Sequence, residues 1–557
     1  MISIGISYLC IVGVIFSARI TLQASTPASP FYIGAAVEYH PVTTGGNGTF
    51  IANKNAQNYV KFLKTASEKD VDIIVFPENG LTSGEPDPPG GAAGLIAKSS
   101  YIPDPRESKV PCHDASSTVM QAVKDISCAA HRYGLYVVIN IIEKVKCTGE
   151  RCGANKDTHD FYNTNIVFDR AGTIIARYRK YNLFDEKFMN KTSRPELSIF
   201  KTDFNVTFGQ FICFDILYET PALQLLREKK ITDIIYSSHW FSELPFLTSS
   251  QIQTSWSFAN NVNFLSSGLN SPSSGSGGSG IYAGKEGLLG RVWSEKRTNA
   301  IVISKISKVV NSRRSQPSNP IDTSTIHYSQ NEITTINGTE PVTQQKLLKD
   351  DLAPYKTSVF KPNNGTQNLL LCDDDFCCNF TTKTSHNDAL IKDANAKYYR
   401  YRFAVFKGVR GYGKKATAGV EVCGLIACTN DNQNSCNERF DINTIVIQPT
   451  IFNSIKITGN FTIGLNILRL PVSLTNDLQP LNTPDYSFIY GHINKTHASL
   501  KYTLTKPHGD LMTFAIYGRN FTADGQPKTS TSTIAQSSFY LMAIIAIGGL
   551  FINHNYV

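Results

Sequence analysis

The chain has 557 residues, a formal net charge of +9 and 41% hydrophobic residues. That is longer than one ordinary domain and apolar enough for a large core. The basic residues are dispersed, with no dense Lys/Arg run, so composition gives no footprint for a nucleic-acid partner; Arg313-Arg314 sits in polar sequence and reads as solvated surface.

The apolar run Ile2 to Phe16, with small residues around Ala24-Ser25, predicts a secretory signal peptide over 1–24. It is shorter than the roughly 20 apolar residues that span a bilayer. From 31 to 308, strand and helix patterns alternate, which predicts an α/β domain. Ala56, Tyr59, Val60, Leu63 and Ala66 have helical spacing within Asn55 to Lys69, and Val71 to Phe76 reads as a buried strand ending at Pro77-Glu78. A helix over Val119 to Ala130 and a strand over Leu135 to Ile142 follow. Asn165 to Phe168 and Thr173 to Tyr178 flank Asp169-Arg170-Ala171-Gly172, a hairpin signal, with Lys180 just past it. Asn205 to Leu217 is a strand-like run carrying Cys213. After it, Glu219 to Leu226 predicts a helix with Thr220 as cap and Pro221 at its first position. Ile231 to Tyr236, Val262 to Ser266 and Ala300 to Ile306 add strands. The stretch Ser273 to Gly280 lies inside this series and reads as a loop that lets backbone approach a ligand. Trp240, Phe241, Phe246 and Trp256 either line a pocket or, as the simpler expectation, fill the core.

Residues 309–354 are polar and read as a connection. Short alternating strands over 355–525 predict a smaller, mostly β, cysteine-rich domain. At the end, small residues near Ser530, a polar spacer and the apolar run Phe539 to Ile552 have the layout of a GPI-attachment signal over 531–557, with Ser530 as the candidate attachment residue. A lipid anchor is then the only expected membrane contact.

Nine N-x-S/T sites, at Asn47, Asn190, Asn205, Asn337, Asn364, Asn379, Asn460, Asn494 and Asn520, favour a glycosylated extracellular protein. Cysteine counting agrees. Cys10 leaves with the signal peptide. If Cys213 is free, Cys112, Cys128, Cys147, Cys152, Cys372, Cys377, Cys378, Cys423, Cys428 and Cys436 remain, an even set. Cys147 and Cys152 flank a short polar loop and are expected to pair. A zinc set from Cys377-Cys378, Cys423, Cys428 and Cys436 is the alternative; an oxidising compartment favours disulfides.

Glu78, Lys180 and Cys213 all fall at ends of expected strands, and strand ends of an α/β sheet converge where ligands bind. A carboxylate beside a thiol can take its proton, and an ammonium near both can hold a developing oxyanion. The set suits acyl transfer through a thioester. Singly, each has a plainer reading: a strand-end ion pair, a surface cation, a small core residue. His113, His131 and His239 lie in no protease-like motif.

Phe76-Pro77-Glu78-Asn79-Gly80, Arg177 to Phe184 and Phe211 to Leu217 resemble the three catalytic motifs of the nitrilase superfamily, and more closely those of its vanin and biotinidase branch. The likeness continues in Val262-Asn263-Phe264-Leu265, Gly278 to Tyr282, Phe376-Cys377-Cys378 and Cys423 to Cys428 with Cys436 following. The resemblance implies an α-β-β-α sandwich with a β-rich domain beside it. It implies Cys213 as nucleophile, Glu78 as general base then acid, and Lys180 with the backbone N–H of Phe214 as oxyanion donors. It implies a small-molecule amide substrate, pantetheine or a biotin amide, and no metal or organic cofactor. A silent binding protein on the same fold is the reading from another class. Asn79 stands where the family would place an acidic residue, and the 271–280 loop also departs from it.

Overall fold

The computed structural model describes residues 24–529 except 83–90, 117, 148–158, 311–312, 317–321, 330–331, 334–343, 414–415, 465 and 493. The expected signal peptide up to 23, the GPI segment with Ser530, Cys152 and Asn337 lie outside the described residues.

The first domain is built from two stacked sheets. β1 (Phe31–Glu38) and β2 (Ile73–Val75) pair in parallel and are almost wholly buried, as central strands covered on both faces must be. Between them runs α1 (Gly48–Ser67). It starts before the apolar pattern because Asn47 caps it, its Oδ1 accepting from the Phe50 N–H at 2.9 Å. α2 (Gln121–Tyr133) ends at Gly134, whose φ of 66° is left-handed and suits glycine. β3 (Tyr136–Lys146), β4 (His159–Phe168) and β5 (Ile174–Arg179) complete one flank.

β6 (Thr207–Ile212), β7 (Asp233–Ser238), α3 (Ser249–Asn260), β8 (Asn263–Gly268), β9 (Ser279–Ala283) and β10 (Leu288–Val292) form the second sheet and its helix. β11 (Asn299–Ser307) returns to the first sheet beside β1. The first sheet has the order β12-β11-β1-β2-β3-β4-β5, where β12 is Thr323–Tyr328. The stretch expected as a mere connection therefore supplies an edge strand. The second sheet has the order β10-β9-β8-β7-β6, with the short strand Ile199–Lys201 at its edge.

One core layer joins the sheets face to face through Ile73, Val75, Val138, Ile235, Leu265 and Val302. Another packs α1 and α2 on the first sheet. α3 covers the second sheet, where Trp256 meets Phe211 and Phe264 with ring centroids 5.3 Å apart in each case. This is the α-β-β-α sandwich. Trp256 belongs to its core, as the simpler reading had it.

The second domain packs on the α3 side and shares that core through Phe406, Tyr412, Val420 and Tyr517. It is a sandwich of two antiparallel sheets. β13 (Lys356–Val359), β16 (Arg400–Tyr412), β17 (Ala416–Cys428), β22 (Leu511–Asn520) and β19 (Ile467–Thr475) lie in that spatial order. β14 (Gly365–Asp373), β15 (Phe376–His386), β18 (Thr450–Thr462), β21 (His497–Leu504) and β20 (Tyr486–His492) form the other.

Disulfides join Cys112–Cys128, Cys372–Cys377, Cys378–Cys423 and Cys428–Cys436. Cys147 is also disulfide-bonded. The zinc alternative falls, because its cysteines are all oxidised. Cys378 on β15 and Cys423 on β17 staple the two sheets, each fully buried. Among the described sequon asparagines all are exposed except Asn520, which is half-buried.

Candidate active site

Four loops leave strand ends at one edge of the stacked sheets. Glu78 follows β2, Lys180 follows β5, Cys213 follows β6 and His239 follows β7. β6 and β7 are parallel and in register, Ile212 opposite Ser237, so Cys213 and His239 emerge side by side. The expected helix over Glu219 to Leu226 is present but irregular, a π-helical turn over Glu219–Leu223 running into an α-helical turn over Gln224–Arg227. A 3₁₀ turn over Cys213–Leu217 begins at the thiol itself. Thr220 is extended and caps nothing, and the regular helix is only Gln224–Arg227. Asp215 makes the elbow instead. Its carboxylate accepts from Tyr178 Oη at 2.7 Å, Asn182 N at 2.9 Å and Ile212 N at 3.1 Å. Cys213 sits at φ 47°, a left-handed conformation that costs a non-glycine residue about 1–3 kcal/mol and is held by these surroundings. Phe214 is the second residue of that turn, where amides lack partners within the turn.

Lys180 Nζ lies 2.7 Å from Glu78 Oε1 and 3.1 Å from Glu186 Oε2, with Lys180 and Glu78 side chains each 2% exposed. Asn163 on β4 donates to both acids, at 2.7 Å to Glu78 Oε1 and 2.6 Å to Glu186 Oε1. Glu78 Oε2 accepts from the His239 N–H at 2.7 Å, while Cys213 Sγ donates to the His239 carbonyl at 3.5 Å. One carboxylate is thus fixed by an ammonium, an amide and a backbone N–H next to the thiol.

Burial alone would pull Lys180 down, but Glu186 and Glu78 outweigh it and hold the ammonium protonated well above its ordinary range. Burial pushes the Cys213 thiol well up, the Glu78 charge adds to this, and Lys180 opposes it. Two acids around one cation leave a surplus negative charge beside the sulfur. Cys213 therefore rests as a thiol.

The thiol opens into a narrow cleft walled by Phe184, Phe214, Leu217, Trp240 and Phe241. Leu348 and Tyr412, from outside the first domain, also line it. Trp240 and Phe241 thus belong to the pocket, whereas Phe246 packs on Tyr355 and Tyr517 between the domains. The 271–280 loop stays behind the wall. It is anchored by buried Glu38, which accepts from Gly278 N at 3.1 Å and Ser279 Oγ at 2.6 Å, and its Gly275 carbonyl holds Ser242 N at 3.0 Å. Its backbone braces the 239–242 segment.

Sequence reasoning missed Glu186, Asn163 and Asp215. Asn163 had a signal: a polar residue in a strand otherwise buried. Glu186 had only its place shortly after the motif lysine.

The carbon–nitrogen hydrolase family matches residues 35–262 and the Vanin C-terminal domain family matches 345–524. With this fold, the protein is a carbon–nitrogen hydrolase. Vanin-like protein 3 of Drosophila melanogaster is 33% identical over 88% of this chain and 89% of its own length. Human Pantetheinase is 25% identical over 89% of this chain and 88% of its own, and mouse Biotinidase 26% over 88% and 93%. The chain belongs to the vanin family. Among solved structures, Saccharomyces cerevisiae Nit3, a member of branch 10 of the nitrilase superfamily, is similar over 51% of this chain and 93% of its own, at 19% identity and a TM-score of 0.37.

Proposed function

We propose that this hydrolase cleaves a linear carboxamide through a Cys213 thioester, and that pantetheine, giving pantothenate and cysteamine, is its substrate. The observation that carries the reading is the buried contact set in which Lys180, Asn163 and the His239 N–H all converge on Glu78 beside the Cys213 thiol. Glu78 takes the thiol proton as sulfur attacks the amide carbon. Lys180 Nζ and the Phe214 N–H hold the resulting oxyanion. Glu78 returns its proton to the leaving amine as the C–N bond breaks, which leaves the acyl group on sulfur. It then takes a proton from the water that attacks the thioester, and returning it to sulfur frees the acid and the thiol.

The relatives named Pantetheinase support this substrate; the one named Biotinidase supports a biotin amide equally by identity. The deciding experiment is cysteamine release from pantetheine by purified protein, with Cys213→Ala as control. Release that the variant abolishes supports the reading. No release from pantetheine, with turnover of biocytin, moves the substrate to biotin amides. Disulfides in both domains suit an oxidising compartment, which supports secretion; outer-surface attachment through a GPI anchor is proposed from the small residues, polar spacer and apolar run of the last 28 residues, roughly the layout such a signal has. Loss of surface protein after phospholipase treatment of cells tests the anchor.

A further inference from the structure

The cavity at Cys213 is walled mainly by apolar side chains; besides the thiol, its polar lining residues are Glu243, which Arg410 holds at 2.6 Å, and His239. The backbone of His239 is engaged on both sides, by Glu78 and by Cys213. Its ring is engaged on one. Asn79 Nδ2 stands 3.4 Å from Nδ1, and an amide nitrogen only donates, so Nδ1 accepts and the proton of the neutral ring sits on Nε2. Burial, with Lys180 adding to it and Glu186 opposing, holds the ring neutral, its pKa lowered to about 4. Nε2 is shut off from solvent and has no hydrogen-bond partner among the described residues. A buried donor left so is unfavourable and rare in a folded protein, and it needs an acceptor from elsewhere. Here Asn79, the residue that departs from the family pattern, determines the ring's tautomer.

Building on the amide-hydrolase reading above, we infer that His239 recognises the substrate, its Nε2–H donating to an acceptor oxygen other than the scissile carbonyl. The scissile oxygen already has Lys180 and the Phe214 N–H. The acyl chain is the part the cavity must hold through both attack and hydrolysis, because it stays on Cys213 after the amine leaves. The preferred substrate is therefore a linear amide whose acyl chain carries a second carbonyl a few bonds from the scissile one, in an otherwise apolar chain.

Two synthetic probes isolate that oxygen: the N-(2-sulfanylethyl) amides of 5-oxohexanoic acid and of hexanoic acid, equal in chain length. Wild-type kcat/KM should favour the first by about tenfold or more, the scale of one hydrogen bond to a buried donor. His239→Phe should collapse that ratio to about twofold, and His239→Gln, which keeps an N–H donor, should restore part of it. An unchanged ratio in His239→Phe overturns the inference. Dissociation constants of both amides for Cys213→Ala protein supply a readout that needs no turnover: the same preference is expected there, and equal affinities, or binding of neither at millimolar concentration, also overturn it. Should wild type hydrolyse neither amide, nor pantetheine, the substrate reading above falls, and the Cys213→Ala affinities alone decide the role of His239.

Discussion

Two clusters in this molecule have the same charge inventory, two carboxylates around one cation, and both are buried. Glu78, Lys180 and Glu186 meet at strand ends of the first domain. Glu243, Arg410 and Asp350 meet where the domains join, with Arg410 2.6 Å from Glu243 and 3.1 Å from Asp350. The second binds three separate stretches of chain through a planar fork suited to two acids, and Tyr412 covers its guanidinium at 4.3 Å. The first has a point charge, an amide that bridges both acids, and a thiol within reach. Burial and charge count do not separate them. What does is the choice of cation and the atom beside it: the Arg410 guanidinium meets its two acids and the Tyr412 ring, whereas the Lys180 ammonium also bears on the Cys213 sulfur.

Exchanging the cations is the strongest way to break that contrast. Lys180→Met should lower kcat/KM for the amide substrate by about 10³-fold or more, since it removes the proposed oxyanion donor and leaves two acids beside the thiol. Lys180→Arg should lose about 10²-fold, because a guanidinium plane cannot stand in the place of a compact ammonium. Recovery of near-normal turnover in Lys180→Arg would mean that charge alone matters there. At the other cluster, Arg410→Met should cost about 3–5 kcal/mol of stability by stranding Glu243 and Asp350, measured by denaturant unfolding. A loss of turnover without loss of stability would show that the interface cluster reaches the chemistry.

The cluster at Cys213 was half legible in the sequence. Glu78, Lys180 and Cys213 each close a strand whose apolar run is readable, and the sheet topology then brings them together. Glu186 and Asn163 were not, because their roles depend on a loop and a strand face that periodicity does not fix. The interface cluster was invisible: Glu243, Asp350 and Arg410 are ordinary charges until the domains pack. The helix over Glu219 to Leu226 was legible, though Thr220 is extended and does not cap it. The 3₁₀ turn before it was not, because Asp215 bonds three groups around the elbow and periodicity does not show them.

A buried acid outside both clusters sharpens the comparison, since Glu38 has no ion pair among the described residues. Burial raises its pKa from 4.5 to about 7 against hydrogen bonds from Ser279, Asn270 and Gly278. The folded state then binds this proton more tightly than the unfolded chain. Its contribution to stability is fully present below about pH 4.5 and is lost as pH rises to about 7, on the order of 3 kcal/mol. Glu38→Gln should flatten the fall of Tm across that window. A wild-type Tm that rises instead would assign the slope to other groups.

The smallest expected effect tests whether the second domain reaches the substrate. Tyr412 meets Phe214 edge-on with ring centroids 5.4 Å apart, and its hydroxyl lies 2.6 Å from that of Tyr517. The ring is cavity wall; the hydroxyl belongs to the interface. Tyr412→Phe keeps the wall and strands Tyr517, so it should cost about 1–3 kcal/mol of stability and leave KM within about twofold. Tyr412→Leu removes the wall as well, and should raise KM about three- to tenfold with kcat nearly constant, the mark of lost uniform binding. Equal KM values in the two variants would make Tyr412 a strut of the interface, and the apolar part of the site would then belong to the first domain and Leu348. Unequal values in the expected direction would make acyl specificity a property of both domains, so that exchanging the second domain between relatives would change which amide is cleaved while Glu78, Lys180 and Cys213 stay as they are.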